Sequence, residues 1–185
     1  MKEVKIWYEE YIKTLKDAKT TDELGTWYEH LIKMLFIYNH NFIIHIYKEE
    51  NQFIKGESKE KIEIKFDRRI NDTGNIYLEY KERRKHPERE KPYGMWVDGG
   101  FAKKNEDIFY LIGDKKNIWV FLKETLCELH NSKHRFRCSI KHPMSTSIGI
   151  LLPCKDALEL AIGKIEVIEG HMIWNKGSIE IFGRR

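Results

Sequence analysis

Long apolar runs are missing from this 185-residue chain: no stretch of about 18 apolar residues occurs, and the opening MKEVKIWYEEYIK is charged throughout. The expectation is a protein with no membrane span and no secretory leader, cytoplasmic, in the host cell cytoplasm if the source is viral. Cysteine is scarce. Cys127, Cys138 and Cys154 are three in number and unevenly spaced, which argues against a disulfide framework and suits a reducing compartment. Strong charge of one sign is absent too: 33 Lys and Arg oppose 29 Asp and Glu, a net +4, which permits nucleic acid as a partner without demanding it. A single Gln beside nine Asn, with a bias to Lys, Ile, Glu and Tyr, fits an AT-rich genome or a thermophile. No internal repeat or low-complexity segment interrupts the chain. What is present, 41% hydrophobic and 34% charged residues, describes a globular chain long enough for one core. We therefore expect a single domain over 1–185: an N-terminal helix (1–20), a core (21–160) and a C-terminal extension (161–185).

Periodicity supplies the elements. Val4, Trp7, Tyr8, Tyr11, Ile12 and Leu15 recur at helical intervals, and Thr20 with Glu23 forms a capping box for a second helix to about His40. That helix carries Glu29 in a stripe with Gly25, Ile32 and Phe36. NFIIHIY (41–47) reads as a first strand, and IFYLI and IWVFL as two strands covered on both faces, joined by a turn at 113–116. A helix is expected from Lys123 to His130, then the strand SIGILL ended by Pro153. A helix at about Asp156–Ile168 and a closing hairpin turning at Asn175-Lys176-Gly177 complete the pattern. Helices flanking a largely buried sheet make the fold class α/β.

IEIKFDRRINDTGNIYLEYKERR (62–84) presents acidic groups in an arrangement that folding alone would avoid. Ile62, Ile64 and Phe66 alternate with Glu63, Lys65 and Asp67, and Ile76, Leu78 and Tyr80 alternate with Tyr77, Glu79 and Lys81, as in two half-buried strands. Pairing around a turn at Thr73 would set Asp67 opposite Glu79. Two carboxylates so placed repel by up to about 1 kcal/mol unless something compensates. Lys81, on the same face of a regular strand, or a divalent cation would do so.

Asp67 followed by Glu79-Tyr80-Lys81 resembles the D…(D/E)xK signature of the restriction-endonuclease-like, or PD-(D/E)XK, nuclease superfamily, with Phe66 in place of the proline. FDRRINDTGNIYLEYKER and STSIGILLPCKDALEL resemble small nucleases of archaeal viruses and phages. That resemblance implies a mixed β-sheet flanked by α-helices and a Mg²⁺- or Mn²⁺-dependent DNA nuclease. Asp67, Glu79 and the Tyr80 main-chain carbonyl would hold the metal ion, Lys81 would orient water or neutralise a phosphate oxygen, and Glu29 would be an extra ligand. Its substrate would be branched or duplex DNA. A Holliday junction resolvase acting as a homodimer is the leading form, since a symmetric dimer can nick two opposed strands. Trp7, Tyr8 and Tyr11 offer aromatic surface for the dimer.

Lys65, Arg68, Arg69, Arg83, Arg84 and Lys85 flank these positions and would grip the DNA backbone. KERRKHPEREKPYG (81–94) holds six basic residues against three Glu, and reads equally as a solvated loop. Cys127, His130, His134 and Cys138 have zinc-ligand chemistry, but on one continuous helix they would spread over about 16 Å. Ordinary core cysteines with surface histidines explain them as well. Two further functions are open: a non-catalytic DNA-binding or assembly protein on a nuclease fold, and a zinc-stabilised binding module.

Overall fold

A computed structural model describes residues 2–18, 20–47, 55–83, 94–132, 137–138 and 146–183. The first helix, α1 (Lys2–Thr14), and the second, α2 (Thr21–His40), follow the expected periodicity. The capping box forms: Glu23 N–H donates to the Thr20 hydroxyl (3.1 Å), and Thr20 N–H donates to the Glu23 carboxylate (2.9 Å). Asn41, left-handed at φ 53°, closes α2 by donating to the Ile37 and Phe36 carbonyls.

Two sheets follow. The first has five strands in the order β1-β4-β5-β8-β9, namely β1 (Ile62–Phe66), β4 (Phe109–Gly113), β5 (Asn117–Leu122), β8 (Gly163–Ile168) and β9 (His171–Lys176). It is mixed, because β1 runs parallel to β4 while every other pair is antiparallel. The second is antiparallel, in the order β3-β2-β7-β6: β3 (Val97–Asp98), β2 (Asn75–Glu82), β7 (Ser147–Pro153) and β6 (Arg137–Cys138).

Side-chain alternation places the five-stranded sheet in the middle of three layers. Ile62, Ile64, Phe109, Leu111, Ile118 and Val120 meet Tyr28, Leu31, Ile32, Leu35 and Phe36 of α2 on one face. Tyr110, Ile112, Trp119 and Phe121 meet Ile76, Leu78, Ile150 and Leu152 of the second sheet on the other. Strands covered on both faces must be apolar throughout, as IFYLI and IWVFL are. The second core is closed by α4 (Lys123–Asn131), α5 (Cys154–Leu160) and a 3-10 turn at Gly100–Ala102. The molecule is therefore mixed α/β, with a mixed sheet flanked by helices, and no helix among the described residues is long and apolar enough to cross a membrane.

Four expectations change. β1 and β2 do not pair as a hairpin: a one-turn helix, α3 (Ile70–Thr73), separates them, and they enter different sheets. Residues 41–47 contribute only a bridge between Ile46 and Ser58. The helix after Pro153 stops at Leu160, because Ile165 and Val167 alternating with Lys164 and Glu166 form a strand, β8. That strand turns to β9 through Glu169 (φ 49°) and Gly170 (φ 83°), a two-residue loop with both residues left-handed, so the hairpin turn precedes Asn175. The aromatic face of α1 is used within the chain: Tyr8 is buried with its hydroxyl on the Lys115 carbonyl (2.6 Å), and Tyr11 stacks between Trp7 and Trp27.

Candidate active site

Strand β1 is an edge strand, and side chains satisfy its outer edge. Ile62 N–H donates to the Ser58 hydroxyl (2.9 Å) and Ile64 N–H to Glu57 Oε2 (3.0 Å). The Glu57 carboxylate is thus fixed alongside the strand, and its Oε1 accepts from Lys65 Nζ at 2.5 Å. Glu57 is held from behind, since its own N–H reaches both oxygens of Asp107 (3.1 and 3.0 Å). The preceding residue must be glycine: at Gly56 (φ +87°) a Cβ would stand 2.2 Å from an Asp107 oxygen.

Glu63 and Lys65 leave β1 on the face opposite Ile62 and Ile64, towards the second sheet. Glu63 is only 1% exposed, and neither carboxylate oxygen has a hydrogen bond. Buried charge without hydrogen bonds is costly unless it is paired. Here it is paired twice, with Lys65 Nζ at 3.2 Å and with the buried Lys123 Nζ at 3.6 Å. Lys123, the first residue of α4, donates in turn to Asn105 Oδ1, and Asn105 Nδ2 donates to Asp107 (2.9 Å). These contacts close a ring: Glu63, Lys123, the neutral Asn105, Asp107, Glu57 through its N–H, Lys65 and back to Glu63.

Lys65 is the hub. Burial alone would lower its pKa, but the Glu63 and Glu57 carboxylates outweigh that and hold the ammonium well above its ordinary range. Glu29 on α2 has its pKa raised by burial and by Glu57, and is drawn back by Lys65 and Lys33. Glu79 on β2 is raised by burial and by Glu82, and is opposed by Lys65, Lys103 and a hydrogen bond with Ser147. The Lys65 ammonium therefore touches two carboxylates, Glu57 and Glu63, and acts on Glu29 and Glu79 at longer range. Gly100 (φ +45°) lets the 3-10 turn press on β2, where a Cβ would lie 2.2 Å from the Glu79 carbonyl oxygen. Beside the ring opens a cleft of about 380 Å³, walled by Glu57, Glu63, Glu82 and Asp98 and by Lys103 and Lys104. Glu82 and Lys103 pair across it at 3.3 Å.

Of the residues singled out from sequence, Glu29, Glu79 and Lys65 come together here. Asp67 does not join them: one oxygen accepts from Arg69 N–H (3.0 Å) and the other from Tyr77 N–H (2.8 Å), so the carboxylate ties the end of β1 to β2. Burial raises its pKa, the two backbone N–H groups lower it, and Asp114 raises it again. The Tyr80 carbonyl accepts from Gly99 N–H (3.0 Å) in the approach to β3. A bulge between Glu79 and Lys81 sets them opposite Gly149 and Ile148, adjacent residues of β7. Neighbours on a strand face opposite ways, so the bulge turns Lys81 away from the face of Glu79. Arg68 and Arg69 are exposed, and Arg83 lies over the Trp96 ring at 4.5 Å. Arg84 and Lys85 lie outside the described residues, as do His134 and the side chain of Cys138. Cys127 points its thiol at the Phe101 carbonyl, and His130 packs on Tyr80 at 4.2 Å. Among the described residues, no three His, Cys, Asp or Glu side chains converge as a ready metal cage.

Sequence reasoning missed Glu57, Glu63, Lys123, Asn105 and Asp107. One signal was available: Glu63-Ile64-Lys65 is another of the chain's several carboxylate-x-lysine triplets, and it lies on a strand next to two that must be covered on both faces. Comparison with protein-family models, curated proteins and solved structures returned no match.

The buried Asp107 carboxyl is pushed up from 3.8 to about 6, by burial first and by Glu63 and Glu57 after it, against the Glu57 N–H and Lys123. Between those values the folded chain keeps a proton that the unfolded chain has released. Its contribution to stability therefore falls as pH rises through the window, by at most about 3 kcal/mol. Asp107→Asn keeps an acceptor for Glu57 N–H and should flatten urea-unfolding stability over that range in EDTA. An unchanged slope would remove Asp107 as its source.

Proposed function

We propose that the protein is a divalent-metal-dependent deoxyribonuclease, a phosphodiester hydrolase of restriction-endonuclease-like type, with its chemistry at the carboxylates around Lys65. The observation that carries this reading is Glu63: a buried carboxylate without a hydrogen bond, two residues from Lys65 on one strand, opening on a charged cleft. An all-oxygen donor set suits a hard cation, Mg²⁺ or Mn²⁺. Such an ion, when bound, supplies positive charge to the phosphate and acidifies water.

The chain's own groups have separable duties. Glu57 and Glu63 hold the cation. Glu29 and Glu79, with raised pKa values, are matched to accepting a proton nearer neutral pH. The Lys65 ammonium neutralises a phosphate oxygen or fixes the attacking water, and Lys103 and Lys104 seat the backbone. In this assignment the acidic-x-lysine pattern is carried by Glu63-Ile64-Lys65 in place of Glu79-Tyr80-Lys81, while Glu29 and Glu79 keep a role.

The test is cleavage of labelled four-way junction, flap, linear duplex and single-stranded DNA with Mg²⁺, Mn²⁺ or EDTA. Metal-dependent cutting supports the reading. A preference for the junction, with paired nicks, supports a homodimeric resolvase. Tight binding with no cutting under either metal would make the chain a non-catalytic DNA-binding protein.

A further inference from the structure

The two carboxylates assigned to the cation are already paired within the ring. Glu57 and Glu63 bring two negative charges, and Lys65 and Lys123 bring two positive ones within 2.5 to 3.6 Å of them. Each of the two carboxylates is thus engaged with an ammonium, although Asp107 in the ring and Glu29 and Glu79 beyond it leave the wider cluster acidic. A divalent cation approaching Glu63 meets two ammonium groups at contact range, and in a partly dry site that repulsion is several-fold stronger than in water. Lys123 cannot step aside: it is 7% exposed, begins a helix, and is anchored by Asn105, which Asp107 holds. Lys65 can, being about a third exposed on its side chain.

From this geometry we propose that Lys65 and Lys123 are built-in counter-ions that keep the site closed to a free divalent cation. The ion enters together with an anionic phosphodiester, which draws the Lys65 ammonium off Glu57 and Glu63 and frees their oxygens. Lys123 stays behind Glu63 as a positioning residue, setting its orientation and weakening its hold on the metal. The ligand of the site is thus a cation–phosphodiester pair. This inference rests on the metal-site assignment above and deepens it.

The experiment titrates Mn²⁺ into the full chain without DNA, following free Mn²⁺ by electron paramagnetic resonance, with thermal unfolding of every variant. Wild-type protein should bind weakly, and more tightly once a phosphorothioate-substituted duplex is added. Lys123→Gln keeps a hydrogen-bond donor for Asn105 but removes the charge, and should bind Mn²⁺ without DNA about tenfold more tightly or better. Lys65→Gln, at the more exposed position, should do the same and serves if Lys123→Gln does not fold. Lys123→Arg should behave as wild type, and Glu63→Gln should weaken binding in each background. Equal or weaker Mn²⁺ binding in folded Lys123→Gln or Lys65→Gln overturns the counter-ion proposal. If wild type binds Mn²⁺ through Glu63 without that gain, the metal site stands and only this proposal falls. If neither wild type nor the charge-removed variants bind Mn²⁺, both fall.

Discussion

Asp67→Ala is expected to lower unfolding free energy by about 2–4 kcal/mol, while folded protein cuts DNA within a few-fold of the parental rate. The carboxylate is 8% exposed and accepts from two backbone N–H groups, Arg69 and Tyr77, which alanine would leave unsatisfied. Each orphaned buried donor costs about 1–3 kcal/mol. Since the Tyr77 bond is a direct tie between β1 and β2, its loss also frees the turn carrying Arg68 and Arg69. Urea unfolding and single-turnover cleavage on the same samples separate the two effects. A variant of parental stability that cuts no DNA would instead make Asp67 a metal ligand, as D…ExK spacing suggests.

Lys65→Met is expected to have the opposite profile. Cleavage should fall by about 10²–10³, the usual worth of one preorganised charge on a developing phosphate charge. Stability should fall by about 1–3 kcal/mol, because Glu63 keeps Lys123 while the lost pairs were partly solvent-screened. The sign with pH follows from the raised ammonium pKa. Its contribution is fully present below the ordinary 10.5 and is lost only above the still higher folded value. The stability deficit should therefore be the same from about pH 6 to about pH 9. A deficit that disappears towards pH 9 would show that another group dominates, and unchanged cleavage would remove Lys65 from the site.

The two cases show which parts of the molecule a sequence discloses. Helices α1 and α2 were legible because their apolar spacing and the Thr20–Glu23 box are local properties, and β4 and β5 because strands buried on both faces are apolar at every position. The site was only partly legible. Glu29 and Glu79 lie within the electrostatic reach of Lys65, but a bulge, which has no sequence signature here, turns Lys81 away from the face of Glu79. Asp67 and Glu79 are expected to face one another because NDTGN (71–75) reads as a hairpin turn; Ile70–Thr73 instead form a helical turn, and β2 enters another sheet. Glu63 was hidden for a different reason. Alternation in IEIKF fixes two faces but not which face is wet, and that is decided by tertiary packing, with the buried Lys123 of α4 set against Glu63. Lys123 and Asn105 enter the ring only through tertiary placement.

Glu63→Gln is the most direct measurement. The substitution keeps the shape of a buried side chain and removes the charge that would hold the cation, and thermal unfolding shows whether the fold survives. Single-turnover cleavage of the preferred labelled DNA, with Mg²⁺ and with Mn²⁺, should fall by about 10³ or more in a protein that still unfolds cooperatively. Cutting at the parental rate by folded Glu63→Gln protein would contradict the placement of the chemistry at Glu63 and Lys65.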